Sequence, residues 1–263
     1  MGRWVVGRVP DQETIRANLA RVRENIAGAA RRAGRDPGDV CLVAVTKLVS
    51  AELVALAVRD GVRDLGENRV QEGVGKRQAL ETAHPDLGAP VRWHLIGHLQ
   101  TNKAARAVAH FDLLHSVDSL RVAEAISAAI LRGRLAAASG DRPAAASADR
   151  PAAILVQVNM AGEATKSGAP PAAIAGLVRD ISRLPGLSVQ GLMTIAPLVA
   201  DAEDVRPVFR RVTALAREID TLGLPGVGME LLSMGMSQDY EVAISEGANV
   251  VRIGMAVFGP RGG

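Results

Sequence analysis

The sequence predicts an α/β fold, a single (β/α)8 barrel with an extra helix at its N-terminal end. Three observations predict it. Eight short apolar runs punctuate the chain, and each but the last is clearly followed by a helical pattern. Such alternation implies parallel strands covered by helices, and eight units within 263 residues is the count that closes a barrel. The rival, an open doubly wound sheet, needs a glycine-rich turn after strand one. Lys47-Leu48-Val49 stands there instead.

The opening helix covers 11–34. Ile15, Leu19, Val22 and Ile26 recur at helical spacing, Asp11 suits the N-cap, and Gly34 sits just past the end. Strand one, 41–47, is a valine-rich run of the kind buried on both faces of a parallel sheet. Ser50 caps a helix to about 58. Strand two (62–66), a helix (70–83), strand three (91–96) and a helix (101–109) follow. Then come strand four (113–117), a helix from Ser119 to about 135, and strand five (153–158). Its helix starts at Pro170-Pro171, as proline in a first turn allows. Strand six (189–195), a helix (202–222), strand seven (231–234), a helix (238–246) and strand eight (250–253) complete one domain spanning 1–263. Residues 133–153 form an Ala/Ser/Pro tract containing Asp-Arg-Pro-Ala-Ala twice, expected as a mobile loop.

Composition excludes several classes. The chain is 48% hydrophobic but 2% aromatic, so its core is built from Ala, Val, Leu and Ile. Its 31 basic and 28 acidic residues are interspersed, which is a solvated surface rather than a nucleic-acid stripe. The single cysteine, Cys41, excludes an internal disulfide framework and fits a reducing compartment. No run is long and apolar enough to span a bilayer, and the first residues lack a signal-peptide core, so a cytoplasmic protein is expected.

A barrel of this type carries its site at the carboxyl ends of its strands. Strand one delivers Lys47 there, strand two Glu67-Asn68, and with strand three and its end come His94, His98 and Gln100 to Lys103. Strand four brings His115, Ser116 and Asp118. Strand five is followed by Asn159, Glu163, Lys166 and Ser167, strand six ends in Met193-Thr194, and strand eight carries Arg252. A lysine amine removed from water can have a lowered pKa and attack an aldehyde. The alternative is a solvated lysine. Ser233-Met234-Gly235-Met236-Ser237 reads as a strand end, a glycine turn and a serine at a helix N-cap, where backbone N–H groups hold anions. Gly254, after strand eight, would let backbone approach the same anion.

His94 and His98 straddle a strand end, and no carboxylate spacing accompanies them, so no metal site is expected. Gly73-Val74-Gly75-Lys76 resembles half a phosphate loop but falls within a helix. No Gly-x-Ser-x-Gly elbow is present. An amine across the mouth from an anion site describes a phosphorylated aldehyde. Pyridoxal 5'-phosphate (PLP) is one, and a phosphosugar in a Schiff-base aldolase is another. If Arg252 faces a pyridine nitrogen, it keeps that nitrogen unprotonated and the ring a weaker electron sink.

The stretches LVAVTK (42–47), LGENRVQE (65–72), WHLIGHLQTNK (93–103), LLHSVDS (113–119), VQVNMAGEATKSG (156–168), GLMTI (191–195), LSMGMSQDYEVAISEGANVVRIG (232–254) and AVFGPR (256–261) resemble the YggS/PROSC family of PLP homeostasis proteins. That family is related to the N-terminal barrel of alanine racemase. The resemblance implies that Lys47 holds PLP as a Schiff base, with Arg252 against the pyridine nitrogen. It implies that Ser237 and the backbone around Gly235 and Gly254 bind the phosphate, and that Asn68 and Met193 line the ring. Met255 stands where the family often carries Thr or Ser. One side-chain bond to a charged group is thereby lost, costing about 1.5–3 kcal/mol. The implied role is a carrier or buffer with little or no turnover, monomeric, with PLP-dependent apo-enzymes as recipients and no catalytic residue assigned. The alternative is an amino-acid racemase. That reaction needs a second acid/base group opposite the lysine, and Tyr240, the only tyrosine, is poorly placed in the helix after strand seven.

Overall fold

The computed structural model describes residues 10–88, 91–138, 150–160 and 167–259. Residues 139–149 of the Ala/Ser/Pro tract, Glu163 and Lys166 lie outside these. Helix α1 (Gln12–Arg32) leads, its end capped by the Asp11 carboxylate, which accepts from the Thr14 amide at 2.9 Å. The stripe of Ile15, Leu19, Val22 and Ile26 is buried, as the spacing predicts.

Eight strands follow: β1 (Cys41–Val45), β2 (Asp64–Glu67), β3 (Arg92–Leu95), β4 (Leu113–Val117), β5 (Ala152–Val158), β6 (Leu187–Thr194), β7 (Val227–Ser233) and β8 (Val250–Ile253). Each pairs in parallel with the next and β8 pairs with β1, so the barrel closes and no edge is left open. The helices between and after them are α2 (Ala51–Arg59), α3 (Val70–Ala83), α4 (Pro85–Gly88), α5 (Ala104–His110), α6 (Leu120–Ala138), α7 (Pro171–Ile181), α8 (Arg206–Asp220), α9 (Tyr240–Ser245) and α10 (Met255–Phe258). The (β/α)8 barrel with an N-terminal helix is the observed fold.

Boundaries moved where the apolar signal was weak. β7 begins at Val227, ahead of the expected 231: Gly228 and Glu230 interrupt the apolar run, and the pairing with β6 shifts register there, from Val189–Val227 to Gly191–Leu231. β1 stops at Val45, ahead of Lys47. The helix expected over 238–246 shrinks to the six residues of α9.

Register decides what faces the lumen. Val43 aligns with both Asp64 and Arg252, Gly66 with His94, His94 with Leu113, and Met193 with Ser233. Aligned residues share a face of the sheet, so these positions all point inward. One side of the lumen is apolar, with Leu113, Leu155 and Met193 packed together. The other side is polar. The outward faces of the strands, including Trp93, Leu95, Leu114, Val251 and Ile253, are buried beneath the helices. Among the described residues no helix is long and apolar enough to cross a membrane.

Candidate cofactor site

Lys47 is not the last residue of a strand but the first corner of a turn. The Thr46 amide still bonds the Gly66 carbonyl at 2.9 Å, and the Val49 amide then bonds the Thr46 carbonyl at 2.9 Å, closing a four-residue turn. Lys47 is half-buried at the carboxyl rim of the barrel. Leu48, the second corner, has φ 61° and is the only non-glycine residue with positive φ among the described residues. A bulky side chain in that conformation is strained.

Arg252 reaches into the lumen and is 4% exposed. Its Nη1 donates to Ser233 Oγ at 2.6 Å and its Nη2 to the Thr194 carbonyl at 2.8 Å. Burial pulls its pKa down to about 10, opposed by the charge of Asp239. Ser233 in turn lies 2.9 Å from His115 Nδ1, His115 Nε2 lies 2.9 Å from His94 Nδ1, and His94 Nε2 lies 2.8 Å from Asp64 Oδ1. Arg92 bonds the same carboxylate at 2.9 Å from below.

With both imidazoles neutral, this chain runs one way. The guanidinium donates to Ser233, the hydroxyl to His115 Nδ1, His115 Nε2–H to His94, and His94 Nε2–H to Asp64. The tautomers are assigned by the network itself. Burial holds His115 well below its usual 6.5, and the nearby charge of Arg252 pushes the same way. Burial raises Asp64, but the bonds from His94 and Arg92 outweigh it and leave the carboxyl below its usual range. A buried cation at one end of the lumen is thus linked by oriented dipoles to a carboxylate at the other.

The loops after β7 and β8 meet at the same rim. Ser237 is not the helix N-cap that the sequence suggests. α9 starts at Tyr240 with Asp239 in the cap position, and the Asp239 carboxylate takes the Met236 amide at 2.6 Å. The charged acceptor two residues on captures the turn, and Ser237 Oγ instead receives the Ala256 amide at 3.4 Å, tying the two loops together. Gly235 has φ +91°, and a Cβ there would lie 2.7 Å from Ala243 Cβ and 2.8 Å from Tyr240 Cα. Packing against α9 therefore requires this glycine. Gly254, with φ −114°, sits in backbone open to any residue.

The comparisons bear on this geometry. The family model for the alanine racemase N-terminal domain matches residues 17–262. The pyridoxal phosphate homeostasis protein of Pseudomonas aeruginosa is 40% identical over 248 residues, which is 94% of this chain and 96% of the relative. This chain belongs to the pyridoxal phosphate homeostasis protein family. The homeostasis protein of Aquifex aeolicus is 38% identical over 92% of this chain and 96% of its own length. PipY of Synechococcus elongatus, solved with PLP bound, superposes with a TM-score of 0.74 at 33% identity, covering 93% of this chain and all (100%) of that one. Alanine racemase of Clostridium difficile shares the fold, with a TM-score of 0.65, at 18% identity over 95% of this chain and 58% of that one.

In this homeostasis-family chain the residues implied by the resemblance stand at the carboxyl ends of β1, β2, β6, β7 and β8. Asn68 follows β2, half-buried; a Cβ at Gly97 would collide with its backbone, so that glycine lets the loop after β3 close on it. Met193 is fully buried in the lumen. Met255 is 47% exposed. His94, expected near the mouth, is instead deep in the lumen on Asp64, while His98 is exposed, 3.8 Å from Asp118. No His/Cys/Asp/Glu cluster suited to a metal occurs among the described residues. The Tyr240 hydroxyl accepts from Asn25 Nδ2 at 3.0 Å, on the α1 side. Sequence reasoning missed Asp64, whose signal was a charge two residues before Gly66 inside an otherwise buried strand. It also missed Lys76, which had been set aside with the false phosphate loop.

Proposed function

We propose that this protein binds pyridoxal 5'-phosphate through Lys47 and serves as a carrier or buffer of the cofactor rather than as an enzyme. The observation that carries the reading is the pairing of Lys47, at the rim beyond β1, with Arg252, which projects into the lumen from the neighbouring β8 in register with Val43. The fit is chemical. An amine at the rim suits an aldehyde, and a buried guanidinium bonded to a hydroxyl and a carbonyl suits a pyridine nitrogen. Two tied loops with backbone N–H groups, at Ser237 and at Gly254–Met255, suit a phosphate.

In this reading Lys47 would hold the cofactor at its aldehyde through the side-chain amine. Arg252 would direct an N–H at the ring nitrogen; the Ser233–His115–His94–Asp64 chain fixes its guanidinium, and the charge of Asp239 favours the charged form. Asn68 and Met193 line the ring's edges. Ser237 and the Gly235 and Gly254 loops hold the phosphate, with Met255 contributing an amide but no hydroxyl. Bound there, the group supplies a reversible imine and an electron-withdrawing ring. The same ring, facing an arginine, would be a weaker electron sink.

The position of the one tyrosine supports low turnover. Tyr240 is turned to Asn25 and α1, which leaves no second phenol base opposite Lys47 in this chain, since it has one tyrosine. A cytoplasmic monomer that passes PLP to apo-enzymes completes the proposal. The test is a visible spectrum of the purified protein with added PLP, followed by incubation with L- and D-alanine. A visible band without interconversion of the enantiomers is expected. Rapid interconversion would replace the carrier with a racemase, and absence of a band would remove PLP altogether.

A further inference from the structure

Beneath the Lys47 turn lies a buried charge cluster that the binding scheme does not use. Lys76, on α3, is 8% exposed. Its Nζ donates to the Thr46 carbonyl at 2.6 Å, to Glu67 Oε1 at 2.5 Å and to Glu72 Oε1 at 3.3 Å. Glu67 Oε1 also accepts from the Thr46 hydroxyl at 2.5 Å, while its Oε2 is buried with no partner among the described residues. Glu72 Oε1 accepts the Leu48 amide at 2.7 Å.

Buried ion pairs are a poor source of stability, since desolvation offsets most of the attraction. The placement of this one is specific. The Thr46 carbonyl and the Leu48 amide belong to the two peptide groups that flank the Lys47 Cα. Lys76 holds the first and Glu72 the second, and Lys76 also bonds Glu72. Between them they set the backbone angles of Lys47. They also explain how Leu48 keeps φ at 61°, because a strained conformation persists only where its surroundings over-determine it. Burial raises Glu72, yet the Leu48 amide and Lys76 outweigh it and keep the carboxyl below its usual range, as an acceptor for that amide requires.

We propose that Lys76, Glu72 and Glu67 are positioning residues that clamp the two peptide groups around Lys47 and aim its amine at the aldehyde of its ligand. This rests on the PLP reading above. The clamp fixes the backbone from which the lysine side chain projects, so less freedom is lost when the imine forms.

The test uses the full chain and two independent readouts. The first is hydrogen exchange of the Leu48 amide, measured by NMR without any ligand. In Glu72→Ala this amide is expected to lose its protection, while amides of α8 and β5 keep theirs. The second is PLP binding, followed by its visible band. Glu72→Ala and Lys76→Met are expected to weaken binding about tenfold or more, the scale of one lost bond to a charged group. Adding Leu48→Asn to Glu72→Ala should recover part of that loss, since asparagine tolerates positive φ. Phe209→Leu, in the core under α8, controls for stability: it is expected to lower the melting temperature and leave PLP affinity unchanged. Unaltered Leu48 exchange in Glu72→Ala would overturn the clamp, as would PLP affinities that simply track melting temperature. Should Leu48 exchange respond while wild-type protein takes up no PLP, the clamp on the turn stands but its role toward an aldehyde is overturned, along with the PLP reading.

Discussion

His115 Nδ1 lies 2.9 Å from Ser233 Oγ, and this contact joins the Asp64 end of the barrel lumen to Arg252. Replacing His115 with Phe leaves the Ser233 hydroxyl and His94 Nδ1 facing an apolar ring. Each orphaned buried group costs about 1–3 kcal/mol, so the urea midpoint should fall. A midpoint equal to wild type would mean that the chain carries no net stabilisation.

The same residue sets an acid limit. His115 titrates well below 6.5 in the folded protein because it is buried. Between its folded value and 6.5 the unfolded chain therefore binds more protons than the folded one, so stability is full above 6.5 and declines as pH falls through that window. The slope approaches about 1.4 kcal/mol per pH unit for one group. Unfolding curves at pH 7.5, 6.0 and 5.0 should show this decline in wild type and a shallower one in His115→Gln. Equal slopes would contradict the assignment.

Lys76→Met removes the cation from between two carboxylates, one of them fully buried. Breaking such a pair costs about 3–5 kcal/mol. Adding Glu67→Leu, which removes the stranded charge, should recover much of this. A double variant no more stable than the single one would show that the loss does not come from the uncompensated Glu67.

Gly235→Ala places a methyl group against Ala243 and Tyr240 at a φ of +91°. Strain and contact together predict a loss of about 1–3 kcal/mol and weaker phosphate retention, read by PLP titration at fixed temperature. An alanine variant with wild-type stability would contradict the packing argument.

The barrel was legible because short, largely apolar strands alternate with helices along the chain, most clearly at β1 and β5. Asp11 and Ser50 cap where their residue types say they should. What could not be read was the fate of charges. Asp64, Glu67 and Lys76 sit in segments whose helix or strand character is clear, yet burial of each depends on a partner distant in sequence, such as His94 30 residues from Asp64. Periodicity reports which face a residue occupies and says nothing about which charges meet there. Ser237 was misread for a related reason: the helix starts at Tyr240 rather than directly after Ser237, because the Asp239 carboxylate takes the Met236 amide and holds 236–239 as a turn.

The most direct test of the central claim is borohydride reduction of the protein mixed with PLP, followed by peptide mass mapping. A single phosphopyridoxyl adduct on Lys47, absent in Lys47→Ala protein that still folds by circular dichroism, is the predicted result. An adduct on Lys76 or any other lysine in place of Lys47, or no adduct at all, would contradict it.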